Sequence, residues 1–216
     1  QFALFGEGTY AVTDAFSLTA GLRFYHFDED KDQIFDGIFA NDNTGSTLVS
    51  QPGSTDANGV APRVIGSYTL REGTNLNAQV SRGFRLGGIN DPLNEPLCTP
   101  QDLLTFGGLE AWGDESVWNY EVGLKSRVLD GNGGVTVAAF YADIRDLQAT
   151  VTAGSCSSRV VFNVPRARSQ GIEVEFDVAP TRNFDIAMSA SLNDSELRST
   201  ITSTGADGTV SVVSGL

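Results

Sequence analysis

"ESVWNYEVGLKSRVLDGNGGVTVAAFYADIRDLQ", residues Glu115 to Gln148, decides how the rest of the chain is read. In its first half Trp118, Tyr120, Val122 and Leu124 alternate with Asn119, Glu121, Lys125 and Arg127 across the two faces of a strand. The glycine-rich break "DGNGG" follows, and then a second run rich in Val, Ala, Phe and Tyr. Two long runs around a tight turn of Asp, Asn and Gly predict a hairpin, because those residues tolerate the positive φ that such turns need. Its apolar face lies against either a protein core or lipid.

Three more pairs repeat the pattern. Residues 2–12 and 16–27 flank "TDA", residues 61–70 and 76–84 flank "REGTN", and residues 171–179 and 184–193 flank "PTRN". The opening pair is placed at 117–129 and 135–147. Long polar connections, 28–59, 85–116 and 148–170, join one pair to the next. All short turns therefore fall at one end of the strands and all long loops at the other. Most of these strands run well beyond the length of about 5–6 residues usual in soluble sheets. They suit tilted strands crossing an apolar band of roughly 25–30 Å.

Face composition agrees. In "IEVEFDV", Ile172, Val174, Phe176 and Val178 alternate with Glu173, Glu175 and Asp177, and three carboxylates on one face need water. Tyr10, Phe16, Tyr68, Trp118 and Phe184 stand near strand ends, where an aromatic girdle would sit. The fold class predicted is all-β: an antiparallel up-and-down transmembrane β-barrel section of about eight strands, with short periplasmic turns and long extracellular loops. A small self-closed eight-stranded barrel with a structural or adhesive role, and a secreted glycan-binding β-sandwich, are the competing architectures.

The 216 residues carry a net charge of −13, against the basic stripe that a nucleic-acid partner requires. No apolar run approaches the roughly 18 residues of a membrane-crossing helix, which does not bear on strands. Both ends read as interior to a longer barrel, so residues 1–216 are expected to form one partial domain.

The strands also carry a resemblance. "FGEGTYAVTDAFSLTAGLRF" (5–24), "APRVIGSYTLREGTNLNAQVSRGFRLGGIND" (61–91), "SVWNYEVGLKSRVLDGNGGVTVAAFYADIRDLQ" (116–148) and "NVPRARSQGIEVEFDVAPTRNFDIAMSASLNDSEL" (163–197) resemble the barrel of TonB-dependent outer-membrane receptors. The resemblance implies a barrel of about 22 strands around an amino-terminal plug. It further implies a multi-pass protein of the Gram-negative outer membrane, contacting lipid and lipopolysaccharide. Energy-coupled uptake of a siderophore, vitamin or glycan through the TonB system, contacted by a plug these residues lack, is the implied function. No cofactor is expected.

Candidate sites follow from the loops and strand ends. In "SRGFRLGGIND", Arg82, Arg85 and Asn90 stand where a ligand in the upper lumen would meet them; the alternative is that the arginines pair with strand carboxylates. In "VPRARSQG", Arg166 and Arg168 are read as facing the lumen opposite Glu173 and Glu175, or as laddering the wall with charge. Cys98 and Cys156 lie in successive long loops on the same side, where an oxidising compartment favours a disulfide over two free thiols. Asp28, Asp30 and Asp32 have D-x-D-x-D spacing, but Gln33 and Phe39 stand where an EF-hand needs Gly and Glu, which favours a solvated acidic loop over the alternative of a loose divalent-cation site at the lipopolysaccharide surface. No metal site is assigned. With His26 the only histidine and no G-x-S-x-G motif, no catalytic site is assigned either.

Overall fold

A computed structural model of the chain describes residues 1–36, 48–204 and 210–214. Its strands are β1 (Phe2–Ala11), β2 (Phe16–Asp36), β3 (Leu48–Arg71), β4 (Thr74–Arg85), β5 (Gly88–Ile89), β6 (Ala111–Trp112), β7 (Glu115–Val128), β8 (Gly133–Thr152), β9 (Arg159–Thr181), β10 (Phe184–Leu197), β11 (Ile201–Thr204) and β12 (Val210–Ser214). One helix, α1 (Pro100–Phe106), lies between β5 and β6. Eight strands form a single antiparallel sheet in the order β1-β2-β3-β4-β7-β8-β9-β10, and β5–β6 and β11–β12 are two-stranded ribbons.

The turns at one end are as short as their composition demands. Thr13 Oγ1 accepts from the Phe16 N–H at 3.0 Å and closes the β1–β2 turn. Gly73, at φ +74°, turns β3 into β4 with a backbone that a side chain would strain. Leu129, Asp130 and Gly131 all have positive φ and reverse β7 into β8.

Register separates two kinds of face. One row across the sheet reads Tyr10, Leu18, Gly66, Ala78, Val122, Ala139, Ile172, Leu192. The adjacent row, pointing the opposite way, reads Ala11, Ser17, Ser67, Asn77, Gly123, Ala138, Glu173, Ser191. Among the described residues nothing packs on the belt that the apolar rows form: Leu22 is 56%, Val122 48%, Met188 62% and Leu192 76% exposed. A β-sandwich would bury this face under a second sheet, and among the described residues the only other sheets are the two ribbons. The sandwich architecture is thereby set aside.

Nor does the sheet close. Among the described residues β1 pairs only with β2 and β10 only with β9, so the eight strands form an open section with two free edges. The self-closed eight-stranded barrel fails on that pairing. In an apolar bilayer each unpaired edge group costs several kcal/mol, so such a section needs neighbouring strands.

Two of the three long connections differ from expectation. Most of 28–59 is strand: β2 and β3 stay paired from Phe16↔Tyr68 to Asp36↔Leu48. Asp28, Asp30 and Asp32 thus stand on β2, on one face, instead of in a loop. Likewise β8 and β9 pair as far as Thr152↔Arg159, leaving only a short turn from 148–170. Backbone pairing does not require an apolar face, and above the belt polar residues stand on both faces, so these strands lack the alternation that betrays them in sequence.

Candidate functional site

The remaining long connection, 86–114, is folded. α1 begins with an N-cap: Thr99 Oγ1 accepts from the Asp102 N–H at 3.2 Å and donates to Asp102 Oδ2 at 2.8 Å, with Pro100 in the first turn. Asp102 reaches onward, accepting from the Ser155 N–H at 3.0 Å and hydroxyl at 2.6 Å in the β8–β9 turn. Four residues before Asp102, Cys98 is disulfide-bonded to Cys156 in that same turn. Cys156, Ala153, Val160 and Phe106 form a small core, with Leu93, Leu109 and Val151 against it.

The opposite face of the β8–β9 hairpin is also held by this loop. Gln148 and Asn163 are register partners. Gln148 Nε2 donates to the carbonyls of Leu86 (2.7 Å) and Gly113 (3.2 Å), and Asn163 Oδ1 accepts from the Gly113 N–H at 2.7 Å. Val151 and Val160, also partners, have the other parity and so the other face. Between the faces, Asn90 closes the strand edge: its Nδ2 donates to Val161 O at 2.7 Å and its Oδ1 accepts from Val161 N at 2.8 Å. The loop therefore clasps the hairpin tip on both faces and one edge. Asp146, at φ +55° inside β8, marks where the clasped tip begins. On its other side the loop meets the β2–β3 hairpin, with Ile89 against Gly53 and Lys31 Nζ 3.6 Å from Asp91.

The hydrogen bonds from Ser155 and Thr99 hold the Asp102 carboxyl below its ordinary pKa of 3.8. A depressed carboxylate contributes stability that is present above the ordinary value and lost as pH falls through the folded one. The clasp is therefore expected to loosen only under acid, below the ordinary carboxylate range, and Asp102→Asn to remove that acid sensitivity. Amide exchange of Ser155 measured against pH checks this; unchanged protection down the acid range in the unsubstituted chain counts against it.

Beside the clasp a groove of about 720 Å³ opens on the polar face. Phe5 and Arg23 are register partners there, and Glu7 and Arg63 flank Gly21 from either side. The glycine leaves room for Arg63 to approach Glu7 across β2, 3.7 Å apart. Arg63 also donates to Gln79 at 3.1 Å. Arg23 lies over the Phe84 ring at 5.4 Å, and Phe84 stacks on Tyr25 with centroids 3.5 Å apart. Tyr25 in turn fills the space where Gly59 lacks a Cβ. Arg82 and Leu86 complete the rim.

The sequence candidates are thus distributed. Arg82 shares the parity of the belt residues Ala78 and Val80, opposite Trp118, and meets the groove only at its rim, donating to Val60 O at 3.4 Å. Arg85 is bound to Glu115 at 2.6 Å and to Gln148 O at 3.0 Å, and Asn90 is buried in the clasp. Arg166 and Arg168 have the parity of Ile172 and Val174, not of Glu173 and Glu175, so the lumen-facing reading is corrected to the belt face. On that face Arg168 meets Glu196 at 3.0 Å and Asp194 at 3.5 Å. Arg23 and Arg63 were missed, although each alternates with belt residues, Phe24 and Val64, and so could be placed on the polar face from sequence.

Comparison with known proteins agrees with this architecture. The family model for the TonB dependent receptor-like β-barrel matches residues 1–211. The pesticin receptor of Yersinia pestis is 25% identical over 203 residues, 90% of this chain and 27% of that protein; the Yersinia enterocolitica pesticin receptor is 24% identical over the same share. Among solved structures, the ferric yersiniabactin uptake receptor FyuA from Yersinia pestis superposes with a TM-score of 0.67 at 19% identity, covering 90% of this chain and 26% of that one. The closed form of the ferric-catecholate import receptor Fiu from K12 E. coli gives 0.67 at 15% identity, covering 96% and 29%. The chain spans about a quarter of the length of these relatives. With an open eight-stranded section, an uncovered apolar belt and a family match across nearly every residue, the chain belongs to the TonB-dependent receptor-like β-barrel family.

Proposed function

We propose that this chain is a wall section of an outer-membrane receptor that takes up an iron–siderophore complex, with transport driven through TonB contact made by a plug outside these residues. The observation that carries the reading is the groove on the polar face, where Arg23 and Arg63 stand beside Phe5 and Phe84, with Arg82 at the rim. Cations with aromatic rings suit an anionic, aromatic-bearing chelate, through charge-assisted hydrogen bonds and stacking. The pesticin receptor, FyuA and Fiu support the class of cargo by likeness. In this reading the belt meets lipid, and lipopolysaccharide surrounds the outer rim. Arg85 and Asn90 act on the ligand indirectly, by holding the loop beside the groove.

Uptake of radiolabelled iron by cells carrying the complete receptor as their sole iron transporter tests this, with a panel of ferric siderophores in strains with and without TonB. One panel member is expected to enter in a TonB-dependent way. Arg23→Ala with Arg63→Ala is expected to weaken its half-saturation concentration by about 10- to 100-fold, the loss of charged hydrogen bonds. No TonB-dependent uptake of any member, or an unchanged half-saturation in the double variant, contradicts the proposal.

A further inference from the structure

The β2–β3 hairpin leaves part of the sheet unpaired. Among the described residues β3 pairs with β4 only from Arg63↔Ser81 downward, while its upper part pairs with β2 alone. Which backbone groups face the gap is fixed by three observations. The Thr69 N–H donates to Ala15 O at the foot of β2, so odd-numbered residues of β3 point toward β2. Val60 O accepts from Arg82 on β4, so even-numbered residues point the other way. Pro52 and Pro62 are both even, and a proline in a strand belongs where its missing N–H faces no partner strand. Ser54, Asp56 and Asn58 consequently direct their N–H and C=O groups away from β2.

This edge borders a cleft of about 700 Å³, with Asp30, Asp32 and Ser54 on the hairpin side, Ile89 and Glu110 on the loop side, and Lys31 turned to Asp91. The faces differ in character. Asp28, Asp30, Asp32 and Asp56 share one face of the hairpin, where the imidazole of His26, 2.8 Å from Asp28, is the one basic side chain bonded to them among the described residues. On the other face β3 presents the small residues Gly53, Thr55 and Ala57, with Ile89 packed at Gly53, while Glu29 and Lys31 stand one strand further away on β2.

We infer that the β3 edge takes an extended peptide as an added strand, with cationic side chains alternating with apolar ones. The backbone of Ser54, Asp56 and Asn58 supplies the ladder. Every second residue of the guest stands beside the Asp28–Asp56 face and carries positive charge, and the residues between face the Ile89 side. An acidic or uniformly apolar strand meets the same edge with the wrong charge.

Binding to the complete receptor in outer-membrane vesicles tests this, using a short fluorescent peptide that alternates lysine and valine. Saturable binding is expected, absent when glutamate replaces lysine. Methylating alternate backbone nitrogens of the peptide is expected to weaken it by about tenfold or more. Asp56→Pro is expected to do the same while leaving the β2 pairing intact, since the N–H it removes points to the gap. Asp30→Asn with Asp56→Asn, which leaves the backbone unchanged, is expected to weaken binding and flatten its salt dependence. Equal binding of the methylated peptide, or no loss with Asp56→Pro in a receptor of unaltered gel migration, overturns strand addition. Absence of saturable binding overturns the site.

Discussion

Removing the Cys98–Cys156 bond is expected to destabilise the clasp by about 4 kcal/mol on the loop-closure account of a cross-link between residues far apart in sequence. The two cysteines are 58 residues apart, and the segment between them includes α1, β6, β7 and β8. The effect should be local. Asn90, Gln148, Asn163 and Asp102 still hold the loop, so the belt strands keep their pairing while the core of Phe106, Ala153 and Val160 opens more often. Amide exchange in Cys98→Ser/Cys156→Ser reads this directly: the Gly107 N–H, bonded to Leu103 O at 2.8 Å, should lose protection, and the Val122 amide should not. Equal loss at both sites would mean that the clasp and the wall melt as one body. Unchanged protection at Gly107 would mean that the side-chain hydrogen bonds alone carry the clasp.

Val122→Arg is expected to cost about 2–4 kcal/mol, the penalty for a cation on the lipid face near the middle of the bilayer. Val122 stands midway along β7, between Ala78 and Ala139, with no protein over it. Glu121→Arg, one residue away and on the polar face, should cost little, because the face is wet and a charge already stands there. Folding of the complete receptor into lipid vesicles, titrated with urea, measures both. Similar costs for the two variants would contradict the assignment of faces, since only lipid on one side makes neighbouring positions so unequal.

What the sequence reveals depends on where lipid and water lie. On the proposed membrane reading the two faces of the belt meet different media, so Trp118 to Lys125 alternate and the hairpins can be read residue by residue. Above the belt both faces meet water. There β2 runs through "DEDKDQIFD" with acids on either face, and alternation cannot tell a strand from a loop. The clasp is harder still, because Asn90 and Gln148 act by satisfying carbonyls and amides far away in sequence, and nothing local marks them. The Thr99–Asp102 cap of α1 was legible in principle, but a seven-residue helix gives too short a period to stand out. The groove arginines Arg23 and Arg63 follow from parity, whereas their meeting around Gly21 needs the register of three strands. Parity also shows why Arg168 cannot stand opposite Glu173: an odd separation along a strand changes face.

The most direct test of the whole account is a spin label moved one residue at a time from Asn119 to Lys125 in the complete receptor, reconstituted in bilayers. Collision with oxygen, which concentrates in lipid, should peak at 120, 122 and 124, and collision with a water-soluble nickel chelate should peak at 119, 121, 123 and 125. The two profiles should run out of phase with a period of two. If instead positions 120, 122 and 124 are shielded from both reagents, the apolar face lies against protein and the membrane-wall account is wrong.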